Sequence, residues 1–115
     1  MVQLFVRLVA PEGGAQELVL ALRGVMRGAC QARGCRFAQV YCLGFDEARV
    51  DYVEEWDDED ELRGQFRSER FLHLLGLIET SAEPPIVEFR AISGIYGLDY
   101  ITSPACTGRQ HVSFD

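Results

Sequence analysis

The stretch V-D-Y-V-E-E-W-D-D-E-D-E-L-R-G-Q-F-R-S-E-R-F, Val50 to Phe71, holds a strand, a charged junction and two helix starts in succession. Before Trp56, the only tryptophan, residues alternate. Val50, Tyr52, Glu54 and Trp56 fall on one side of a strand, and Asp51, Val53 and Glu55 fall on the other. After Trp56 the period changes. Asp58 followed three residues later by Glu61 has the form of a capping box, and the acids of that first turn are favourably placed against the helix dipole. Leu62 and Phe66 share one helical face. Ser68 can cap a further helix, in which Phe71, Leu74, Leu75 and Ile78 form an apolar stripe.

At the N-terminus, Val2 to Val9 is β-rich, with Leu4, Val6 and Leu8 on one face and Gln3, Phe5 and Arg7 on the other. Pro11-Glu12-Gly13-Gly14 breaks that strand. Leu18, Leu22, Val25, Met26 and Ala29 then recur at helical spacing, which predicts a helix from Ala15 to Arg33 with Gly34 as its left-handed stop. Gly24 and Gly28 inside this helix suggest close packing against a sheet, because each would otherwise cost about 1 kcal/mol relative to alanine. Arg36 to Leu43 and Arg49 to Trp56 form a hairpin turned by Gly44 to Ala48. Two helices, Asp58 to Phe66 and Ser68 to Thr80, and a last strand, Ile86 to Ile92, complete the order β, α, β, β, α, β, with the second helical segment broken in two. This is a ferredoxin-like split βαβ arrangement of the α+β class, with helices on one face of an antiparallel sheet. Phe5, Val87 and Phe89 are expected on the uncovered face, where they would expose apolar surface in an isolated chain. Residues 1–102 are read as the domain. Ser103 to Asp115 is polar and aperiodic, and is read as a flexible tail.

The order of these motifs resembles the antibiotic biosynthesis monooxygenase domain and its quinol monooxygenase relatives. The likeness is carried by a strand ending in Glu54-Glu55-Trp56, an acidic helix start, and Arg67-Ser68-Glu69-Arg70-Phe71 opening the next helix. It extends to the apolar strand and Pro-Gly turn of Val2 to Gly14, to Gly34-Cys35 after the first helix, and to Pro84-Pro85 before the last strand. The resemblance implies a homodimeric α+β barrel. It also implies oxidation of a small aromatic or quinol by molecular oxygen without metal, flavin or haem, in an apolar pocket between the sheet and the split helix. The expected lining is Trp56, Leu62, Phe66, Phe71 and Leu74, with Gln65 and His73 as the nearest polar groups; Tyr52 and Arg90 are further candidates for contact with a ligand. His73 is the neutral-pH base available on those helices.

This chain departs from the family pattern in ways that bear on chemistry. Members often carry a histidine nine residues after the strand-end tryptophan, where Gln65 stands here, and glutamine cannot act as a base. Haem-degrading relatives have a tryptophan there, a histidine about ten residues later and an asparagine on the first strand. This chain offers Gln65, Leu75 and no asparagine, which disfavours haem degradation; a non-catalytic barrel that binds a small apolar ligand stands as the alternative.

Composition narrows the classes further. The chain has 115 residues, 48% hydrophobic and 25% charged, with a net charge of -7 and 11 basic residues, all arginine. Nucleic-acid binding is disfavoured, and the absence of lysine excludes both a Schiff base and a P-loop. The run Glu54 to Glu61 has seven carboxylates in eight positions but lacks the glycine and ligand register of a calcium loop. Cys30, Cys35, Cys42 and Cys106 form neither a CxxC pair nor a zinc pattern; they are expected to be reduced, with Cys30 and Cys42 in the core. No metal site is expected from the two histidines, His73 and His111. With neither a signal peptide nor a membrane-length apolar run, the chain reads as cytoplasmic.

Overall fold

The computed structural model describes residues 1–43 and 46–102, with backbone alone at positions 46 and 47. The element order is β1 (Val2–Val9), α1 (Ala15–Cys30), β2 (Cys35–Leu43), β3 (Asp46–Trp56), α2 (Glu59–Arg63), α3 (Glu69–Glu79) and β4 (Ile86–Ala91), followed by a 3-10 turn at Leu98–Thr102. The four strands lie in the order β2-β3-β1-β4 and every neighbouring pair is antiparallel. This is the expected ferredoxin-like α+β topology: each crossover, through α1 and through α2 with α3, skips one strand and keeps the helices on one face. The expected tail at Ser103 to Asp115 lies outside the described residues.

The core forms where the apolar phase of the two central strands meets the helices. Val2, Leu4, Val6 and Leu8 of β1 pair across with Trp56, Glu54, Tyr52 and Val50 of β3, and all eight are buried. Leu18, Leu22, Val25 and Ala29 of α1, Leu62 of α2, and Phe71 and Leu74 of α3 close over them. Trp56 and Tyr52 are the largest fully buried side chains.

The helix boundaries follow from caps and glycines. Asp58 accepts from the Glu61 amide at 2.9 Å, and Ser68 accepts from the Phe71 amide at 3.1 Å, so both caps stand where the spacing put them. The first helix ends at Cys30, three residues earlier than expected, and a short turn leads to Gly34 at φ 86°. Gly34 lacks the Cβ that would lie 2.7 Å from Cγ of Glu61, so β2 can start directly beneath α2. Gly28 serves a different neighbour from the one expected. A Cβ there would meet Cδ of Arg70 at 2.6 Å, so this glycine admits α3's arginine rather than the sheet, whereas Gly24 has only Arg27 within reach, at 3.9 Å.

Two expectations about faces are overturned by register and by element ends. Phe89 pairs with Leu4 and Val87 with Val6, which places both on the helix side of the sheet, while Phe5 pairs with Glu88 on the open side. The reason Val87 and Phe89 remain exposed is that β4 is the edge strand, beyond the cover of α1 and α3. The open face itself is charged. Arg7 donates to both oxygens of Asp51 at 2.9 and 3.0 Å, Gln3 donates to Glu55 at 3.1 Å, and Arg90 bonds Glu88 and Gln3. Arg7 and Arg90 also stand over the Phe5 ring, at 5.2 and 4.5 Å. Cys30 and Cys42, expected in the core, are exposed: Cys30 is the last residue of α1, one step round from buried Ala29, and Cys42 lies near the end of edge strand β2. Cys35 is half-buried, and burial raises its thiol pKa.

Candidate functional site

Two features occupy the Trp56 end of the sheet, separated by Val2 and Leu4 of β1. The first is a buried polar cluster. The carboxylate of Glu54, with no exposed surface, accepts the Tyr52 hydroxyl at 2.5 Å and Arg70 Nη1 at 2.6 Å on Oε2, and the Trp56 indole N–H at 2.9 Å on Oε1. Arg70 extends over the notch at Gly28 and donates through Nη2 to Gln65 Oε1 at 3.1 Å. Its guanidinium lies 6.0 Å from the Trp56 ring and 5.9 Å from the Phe71 ring. Three side chains from β3 and α3 thereby donate to a single carboxylate, and Arg70 links it to Gln65 at the α2–α3 junction. Burial, and after it the charge and hydrogen bond of Glu54, push the Tyr52 phenol well above its usual range. Tyr52 is therefore a donor at neutral pH and not a base.

The second feature is a cavity of about 360 Å³ between α2 and β4, lined by Val2, Glu59, Leu62, Arg63, Phe66, Phe89 and Ala91. Its walls are mostly apolar. Phe66 and Phe89 meet edge to face in its wall, with centroids 6.0 Å apart. The opening arises because α2 is only five residues long, and the chain after it continues in tight turns that carry Phe66 outward over the uncovered edge strand. Glu59 and Arg63 supply the charge at its mouth. Both Arg63 Nε and Nη2 donate to Glu59 Oε1, at 3.0 and 2.7 Å, in an exposed pair spaced i,i+4.

The structure divides the residues expected at the site. Leu62 and Phe66 line the cavity. Trp56, Phe71 and Leu74 are buried in the core, and Tyr52 and Gln65 belong to the polar cluster. His73 is exposed on α3 and Arg90 is on the open face of the sheet, so neither is part of the cavity lining. Sequence reasoning did not select Glu54 and Arg70, or the lining residues Val2, Glu59, Arg63, Phe89 and Ala91. For Glu54 a signal was present, since it alternates in phase with Tyr52 and Trp56 and a charge on a buried face needs a partner. Among the described residues no group of three or more histidines, cysteines or acids is arranged to hold a metal ion, and no helix is long and apolar enough to cross a membrane.

This α+β sheet order with a split second helix recurs in solved structures, one of them named as an antibiotic biosynthesis monooxygenase. Comparison with solved structures shows the same fold. A crystal structure of an antibiotic biosynthesis monooxygenase matches with a TM-score of 0.70 and 14% identity, over 82% of this chain and 100% of that one. Rv0793 from Mycobacterium tuberculosis matches with a TM-score of 0.72 and 16% identity, over 84% and 98% of the two chains. PA3566 from Pseudomonas aeruginosa gives 0.69 and 19%, over 81% and 94%. No family model and no curated protein matches the chain. The resemblance read from the sequence is thus matched in three dimensions, and at these identities the likeness is one of fold.

Proposed function

We propose that the protein binds a small aromatic or quinol in the cavity between α2 and β4 and oxidises it with molecular oxygen, without metal, flavin or haem. The observation that carries this reading is the cavity itself. It is apolar, it is walled by Phe66 and Phe89, and it lies between the split helix and the sheet of a fold shared with structures named as monooxygenases. In the oxidation of an anthrone, a ring carbon bearing two hydrogens becomes a carbonyl: one oxygen atom of O2 stays on that carbon and the other leaves as water with the two hydrogens. The substrate supplies every electron, so the protein need only bind and orient it, exclude water and take up a proton.

A second reading is a barrel that binds such a ligand without chemistry. It is favoured by the position of His73, which is exposed on α3 and outside the cavity lining. Oxygen uptake by metal-free protein with a panel of quinols and anthrones separates the two. The catalytic reading requires uptake above the spontaneous rate that falls when Phe66 is replaced by alanine. Saturable binding with only the spontaneous rate would establish the binding reading instead.

The functional unit in this proposal is a homodimer; Leu72, Leu75 and Val87, which are exposed and outside the cavity lining, support it, whereas the open sheet face expected to carry the contact is charged and holds neither Val87 nor Phe89. Sedimentation at micromolar concentration is expected to give twice the 12.9 kDa chain mass. A species at the chain mass would remove the dimer from the proposal.

A further inference from the structure

The polar part of the cavity is confined to one ion pair, and its bonding is lopsided. Arg63 Nε and Nη2 both donate to the same oxygen of Glu59. Glu59 Oε2 and Arg63 Nη1 have no partner among the described residues, so the two charged lining residues offer one acceptor and one donor and cancel in charge. The remaining lining residues, Val2, Leu62, Phe66, Phe89 and Ala91, are all apolar.

From this we infer that the Glu59–Arg63 pair determines specificity, selecting an uncharged aromatic ring that bears a hydroxyl or carbonyl group over rings that bear a full charge. The inference rests on the ligand-binding reading given above and adds to it the charge state of the ligand. A hydroxyl on the ring can donate to Glu59 Oε2, and a carbonyl or hydroxyl oxygen can accept from Arg63 Nη1. Either contact leaves the ion pair intact. An anionic ring gains from Arg63 but meets the carboxylate beside it, and a cationic ring meets the converse. With no net countercharge from the lining pair, a charged substituent gives up hydration without a matching return. The two side chains are each 64% exposed, so the selection is graded rather than absolute.

Three probes that share one ring system test this: 2-naphthol, 2-naphthoate and 2-naphthylmethylammonium, titrated calorimetrically into the full chain at neutral pH. Wild type is expected to bind 2-naphthol about 10-fold more tightly than either ion. Glu59→Gln should improve 2-naphthoate about 5-fold and weaken the ammonium probe. Arg63→Gln should do the reverse, and both shifts should shrink in high salt. Both substitutions replace exposed groups with glutamine, and an unchanged melting temperature confirms that the fold is retained. If the three probes bind wild type alike, or if both variants move all three probes in the same direction, the specificity assignment is wrong while the pocket stands. If no naphthalene binds wild type, the ligand-binding reading fails and the assignment falls with it.

Discussion

The polar cluster around Glu54 and the cavity beneath α2 are neighbours at the same end of the sheet, on either side of Val2 and Leu4, yet they are built on opposite terms. In the first, a fully buried carboxylate has all its donors supplied from within the chain, with Arg70 reaching it through the notch at Gly28. In the second, apolar walls are left open because the short α2 cannot cover the edge strand. A closed polar cluster fixes geometry, and an open apolar cavity leaves binding energy unused. The cluster holds the α2–α3 junction in place through Gln65, and the next residue, Phe66, lines the cavity.

The largest effect is expected at Arg70. Arg70→Met leaves Glu54 buried without its cation, and chemical denaturation should show a loss of about 3 kcal/mol; combining it with Glu54→Leu should recover part of that loss. A change near zero would mean that the cluster does not anchor the fold. The cavity should respond in the other way. Phe89→Ala is expected to lower the affinity for a bound naphthalene by about 10-fold, while costing under about 1 kcal/mol of stability because Phe89 is already 53% exposed.

A finer contrast concerns pH. Burial and Glu54 raise the Tyr52 phenol pKa in the folded state, whereas an unfolded tyrosine ionises near pH ~10. The stability set by that difference is complete below pH ~10 and is lost as pH rises above it, so Tyr52→Phe should flatten the alkaline decline seen in denaturation at successive pH values. The smallest effect is expected at His73. It is exposed on α3, and His73→Ala should move stability by no more than about 0.5 kcal/mol in the same denaturation assay.

The features legible in the sequence were those set by local period and by caps. The alternation through Val50, Tyr52, Glu54 and Trp56, the caps at Asp58 and Ser68, and the order of elements were all readable, because each depends on residues a few positions apart. Contacts between elements were not. Arg70 lies sixteen positions from Glu54, and its path depends on a glycine in another helix, a relation with no periodic signature. Alternation in β4 separated Phe89 from Glu88, but only pairing with Leu4 and Phe5 showed which of them faces the helices. His73 was selected for its chemistry, while its helical position turns it to solvent; Phe66 was selected for its position beside the split helix, and it lines the cavity.

Titrating isotopically labelled protein with 2-naphthol and following the backbone amide resonances distinguishes a ligand site in the cavity at the β4 edge from one in the polar cluster beside it. Saturable shifts are expected at Val2, Leu62, Phe66, Phe89 and Ala91, with His73 unmoved. Shifts centred on Tyr52, Glu54, Arg70 or His73, with the five cavity residues unchanged, would contradict the cavity site.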